Sequence, residues 1–175
     1  MPHSTRQCVR SMTMPVLRIA GIFWNPDPSH SLQRARICKI GNIEEKPSWV
    51  LYVSVIKTEL IQLLQDIVPA LSSAGVAFKI PESKDVAKRI LDGGTGNEKV
   101  GKIICIYPKE DELARIAKLL IPLTIDTKGP SVPNARLLGG SVYAAYDPLQ
   151  SPLPNRIDWP FDDISPETPP RENCS

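Results

Sequence analysis

A chain of 175 residues, 42% apolar and 23% charged, has the size and composition of one soluble domain that buries a core without cross-links. Its net charge of +2 does not by itself mark a nucleic-acid partner, and no apolar run is long enough to span a membrane. Cys8, Cys38, Cys105 and Cys174 lie far apart with no CxxC pair, which leaves metal and redox motifs unsupported and points to a reducing compartment, the cytoplasm.

In chain order, residues 1–30 read as a flexible tail. They hold no acidic residue before Asp27 and carry Arg6, Arg10 and Arg18. That bias is shared with transit peptides, but a tail whose true start is Met14 is the simpler reading. "WVLYVSV", 49–55, is rich in β-branched and aromatic residues and predicts a buried strand. A helix over 58–73 follows, with Leu60, Leu64, Ile67, Val68 and Leu71 on one face. Thr58 is its expected cap, Gly75 its stop, and Pro69 a kink or early end. "VAFKI", 76–80, is the next strand; its Lys79 either turns to water or enters a site.

Ser83 caps a short helix over 83–91, with Val86 and Ile90 facing inward and glycine at its exit. "GKIICIYP" gives a strand over 102–107, in which Cys105 reads as a small buried hydrophobe. A helix over 110–120 starts with acids that favour its dipole. "SVPN" and "GGSVYAAYD" predict two shorter strands joined by a turn. Strand alternating with helix implies an α+β domain over 31–148, a central β-sheet with helices packed on it. Residues 149–175 are proline-rich and polar and read as a linker or tail.

Three apparent signals are weak. "GNEKVGK", 96–102, matches most of GxxxxGK, but Ile103 stands where a Mg²⁺-binding hydroxyl belongs. It also follows a helix and precedes a strand, so no helix N-terminus receives a phosphate. The two histidines, His3 and His30, lie in or beside the tail and build no triad or metal site. "KEDE" is most simply a solvated helix start.

The pieces "WVLYVSV", "GVAFKIPES", "VGKIICIYP" and "GPSVPNARLLGGSVYAAYD" together resemble the N-terminal lyase domain of class III and IV lanthipeptide synthetases, itself related to bacterial phosphothreonine lyase effectors. The resemblance spans about residues 47–147, and "NRIDWP" is similar to the linker leading into the kinase domain of those synthetases. It implies a phosphothreonine-lyase-like fold and a β-elimination from phosphorylated Ser or Thr in a precursor peptide. That chemistry needs a base near Cα, cations around the phosphate and an acid for the bridging oxygen, but no cofactor or metal.

Under the resemblance, Lys79 is the proton-abstracting lysine, Lys102, Arg136 and Tyr107 hold phosphate, and Tyr52 stands where the family has its acid. Without it, each would be read as a surface charge or a packing residue. The departures are equally specific. The family's lysine and histidine two apart become Val50-Leu51-Tyr52, one family arginine falls on Glu82, and another falls on Ala144. A phenol, with an ordinary pKa near 10, is a poor acid for neutral pH. This pattern fits a degenerate phosphoserine or phosphothreonine lyase better than an efficient one. The alternatives are a non-catalytic module that binds peptide or kinase, and an unrelated small α+β protein. The implied partners are a precursor peptide and a separate kinase or cyclase chain, with no nucleic acid and no membrane.

Overall fold

The computed structural model describes residues 17–19, 22–24, 37–44, 48–147 and 158–164. Strands β1 (Leu17–Ile19) and β2 (Ile22–Trp24) pair antiparallel, a hairpin inside the segment expected to be tail. The rest of that expected tail, with Met14, His3 and His30, lies outside the described residues.

Six further strands form one sheet: β3 (Ile37–Ile40), β4 (Ser48–Val53), β5 (Ala77–Pro81), β6 (Ile104–Tyr107), β7 (Arg136–Gly139) and β8 (Val142–Asp147). Their spatial order is β3-β5-β6-β4-β8-β7, and every neighbouring pair is antiparallel. The helices are α1 (Leu60–Ala74), α2 (Lys84–Leu91) and α3 (Leu113–Leu123). Their buried residues share one apolar core with alternate residues of the strands: Leu51, Val53, Phe78, Ile80, Ile104, Ile106, Val142 and Ala144. Because successive strand residues point to opposite faces, this fixes the helices on one side and frees the other. The expected α+β architecture is the one observed.

The helical stripe is as the periodicity demands: Leu60, Leu64, Ile67, Val68 and Leu71 of α1 are all buried. Gly75 stops α1 with φ 68°, a left-handed value that suits glycine. At the start of α1 one local expectation fails. Thr58 does not cap α1, which starts at Leu60; Glu59 precedes it, and its carboxylate accepts the Lys128 backbone N–H at 2.8 Å instead. Pro69 does not end α1, since tertiary burial of both flanking turns outweighs the one lost hydrogen bond. Ser83 does cap α2, accepting the Val86 N–H at 3.3 Å.

The expected strand at "SVPN" is absent. Pro133 lacks an N–H and Asn134 has φ 57°, so the extended strand β7 begins only at Arg136. The loop before it is pressed against the end of β4. A Cβ on Gly129 would lie 2.6 Å from the Ser54 backbone carbon, and Ser54 Oγ donates to the Pro130 carbonyl at 2.6 Å.

Neither β3 nor the segment 158–164 was anticipated. The latter lies within the stretch read as linker, the rest of which is outside the described residues. Phe161 is fully buried in the helix-side core. Trp49 packs edge-on against Trp159, Phe161 and Tyr146, with ring centroids 5.4, 5.7 and 5.7 Å away. Such contacts add to the area that the rings remove from water. Phe161→Ala is therefore expected to lower unfolding stability by about 3–5 kcal/mol, read by urea denaturation. A loss under about 1 kcal/mol would mean that the segment does not seal the core in solution.

Candidate functional site

The helix-free face carries one continuous cross-strand row. Lys39 of β3 lies opposite Lys79 of β5, Lys79 opposite Cys105 of β6, Cys105 opposite Tyr52 of β4, Tyr52 opposite Tyr143 of β8, and Tyr143 opposite Leu137 of β7. Directly opposed residues share a face, so a row that reads as scattered in sequence is a single line in space. Val50, Tyr52 and Val132 are buried on this side, and Cys105, Tyr107, Ala135, Tyr143 and Ala145 pack against them. Val132 comes from the loop clamped to Ser54, which roofs part of the sheet.

Two lysines lie over two phenol rings. Lys79 Nζ sits 4.7 Å from the Tyr107 ring centroid, and Lys102 Nζ sits 4.8 Å from that of Tyr52. Both distances suit attraction between a cation and the negative ring face. Lys102 leaves the turn just before β6, where Gly101 has φ 75°. The Cys105 thiol lies between these groups and approaches the Lys102 carbonyl, with Sγ 3.9 Å from the oxygen.

Burial dominates the protonation chemistry. It pushes the Cys105 thiol up to about 11, against the lowering effect of Lys79 and Lys102 and with a small added push from Asp147. It also drives the phenols of Tyr52 and Tyr107 well above their ordinary range, helped by Cys105 and Asp147. At neutral pH both phenols and the thiol therefore keep their protons. The site sets two lysines beside neutral O–H donors, a combination that attracts an anion and hydrogen-bonds it.

Of the five residues singled out from sequence, four come together here: Lys79, Lys102, Tyr52 and Tyr107. Arg136 does not join them. Its register partner Ala144 faces the helix-side core, and its guanidinium lies 4.4 Å from the Trp159 ring centroid. The phosphate contact that the resemblance implies for Arg136 is therefore not brought to this side. Cys38 packs against the helix-side core, and its thiol is raised by burial first and by Glu82, the charge reversal of the sequence reading, second. "GNEKVGK" lies between α2 and β6, with a 3₁₀ turn at Asn97–Lys99, so no helix follows its lysine. Among the described residues no cluster of three or more His, Cys, Asp or Glu could hold a metal ion, and no helix is long and apolar enough to cross a membrane.

A cavity of about 570 Å³ opens at the end of the sheet and shares Tyr107 with the lysine face. Trp49, Ala77, Leu113 and Tyr146 line it, with Glu44, Glu110 and Glu112 on its walls. Sequence reasoning missed Lys39 and the central place of Cys105. The alternation in "ICIY" did hold the second signal, since it puts Cys105 and Tyr107 on one face.

Residues 41–156, more than half of the chain, match the family described as RamC, N-terminal domain. The matched span includes every strand of the sheet except β3. No curated protein matches the chain.

A thiol near 11 should alkylate slowly at neutral pH. The rate of Cys105 modification by iodoacetamide, mapped by mass spectrometry, is expected to climb up to about pH 11. An ordinary thiol levels off past its pKa of about 8.5. Lys79→Gln removes a charge that lowers the thiol pKa, so it should slow the reaction further below that point. A rate that plateaus as an ordinary thiol does would show that the row is open to water.

Proposed function

The chain belongs to the RamC N-terminal domain family, and on that basis we propose that it works in lanthipeptide biosynthesis on a precursor peptide carrying phosphorylated Ser or Thr. In this reading it is a lyase-type domain whose elimination is slow. The observation that supports it best is the placement of Lys79 and Lys102 over Tyr107 and Tyr52 on one helix-free sheet face.

The proposed reaction is a β-elimination. In that step the Lys79 amine, once it has given up its own proton, takes the Cα proton, the Cα–H electrons form the Cα=Cβ bond, and the Cβ–O bond breaks to release phosphate. Lys102 balances charge on the departing group, and the Tyr107 hydroxyl donates a hydrogen bond to it. Tyr52 stands where an acid would protonate the bridging oxygen. Its phenol, driven further up by burial, gives that proton reluctantly, so the leaving group departs with little acid help. The kinase that would make the phosphopeptide and the cyclase that would consume the product belong to the proposal as separate partner chains.

A second reading, a module that binds precursor peptide without reacting, draws on the same reluctant phenol and on the cavity beside Tyr107. Mass spectrometry of a phosphoserine peptide incubated with the chain separates the two. Slow loss of the elements of phosphoric acid is expected, abolished in Lys79→Ala. It should rise by about 10²-fold in Tyr52→His, the low end of what acid–base help contributes. If neither the native chain nor Tyr52→His eliminates, while the phosphopeptide still binds, the non-catalytic reading replaces the lyase.

A further inference from the structure

The row on the helix-free face begins with two like charges. Lys39 and Lys79 are directly opposed across the antiparallel β3–β5 pair, where Cβ atoms lie about 4.5–5.5 Å apart. Their side chains share the helix-free face, because Cys38 and Ile40, the alternate residues of β3, pack against the helix-side core. Like charges in directly opposed positions destabilise a sheet unless something neutralises them. Among the described residues no carboxylate forms an ion pair with either lysine; the ion pair found there is Arg115 with Glu112.

Lys79 is half-buried and leans over Tyr107 toward the centre of the sheet, whereas Lys39 is exposed on the edge strand. The two ammonium groups therefore mark the rim and the interior of one positive surface that continues to Lys102. A dianion entering from the edge meets Lys39 first. With Arg136 held over Trp159, this face lacks the second phosphate cation that elimination calls for, and Lys39 is placed to supply it. Lys39 lies just before the span that matches the family, and Lys79 lies within it.

We propose that Lys39 and Lys79 form a two-lysine subsite for a peptide carrying a phosphate monoester, Lys39 gripping the phosphate while Lys79 works at Cα. The proposal rests on the phosphopeptide reading above. The test is calorimetric titration of the full chain with a phosphoserine peptide and with its unphosphorylated twin. Lys39→Gln should weaken phosphopeptide binding about tenfold, the scale of one hydrogen bond to a charged group. It should leave the twin unchanged, and Lys39→Arg should retain most of the affinity. Without peptide and at low salt, Lys39→Gln should also raise Tm slightly, because the opposed charge is gone. Equal phosphopeptide affinity in Lys39→Gln and native chain, or a loss shared by both peptides, overturns the subsite and leaves the lyase reading standing. Tight, Lys39-dependent phosphopeptide binding without any elimination supports the subsite and sinks the lyase. A native chain that does not prefer the phosphorylated peptide overturns both.

Discussion

Leu51, Val53, Phe78, Ile80, Ile104 and Ile106 must all lie against the helices, and that requirement decides the face of every residue between them. In a strand the side chains alternate, so burying the apolar set on one side sends Tyr52, Lys79, Cys105 and Tyr107 to the other. A register slip of one residue would expose the core and bury the lysines at the same time. The candidate site is thus held by the stability of the whole helix-side core, not by contacts among its own residues.

The site's own interactions are weaker and serve a different end. A lysine over a phenol ring gains a modest attraction, and among the described residues neither lysine forms an ion pair with a carboxylate. Asp147, whose charge adds to the effect of burial in pushing Tyr52, Tyr107 and Cys105 up, is the carboxylate that would compete with an incoming anion; the rings do not. Burial keeps the phenols and the thiol protonated, so the face stays positive while still presenting donors. The same burial that makes a good anion surface makes Tyr52 a poor acid. Binding and proton donation pull in opposite directions at this position.

The long periodic segments were the legible part. The α1 stripe, the Ser83 cap, and the three strands around 51, 79 and 105 follow from spacing and residue type alone. What local pattern does not contain is which strands become neighbours. Lys39 and Lys79 are far apart in the chain, and only the crossover that places β3 beside β5 opposes them. Arg136 fails for the same reason: its position after Asn134 was readable, but its face depends on pairing with Ala144. Phe161 was hidden by its surroundings, since proline-rich composition reads as linker even where one aromatic finds the core.

The aromatic cluster at the sheet's end has an optical consequence. Trp49 belongs to the central strand and Trp159 to the segment that returns beside it, and their rings meet edge-on at 5.4 Å. Indoles at that separation and near-perpendicular tilt couple their electronic transitions, so each ceases to absorb as an isolated chromophore. The chain therefore carries its own label. Near-ultraviolet circular dichroism reports whether the late segment is seated on the sheet, with no dye attached and no residue changed.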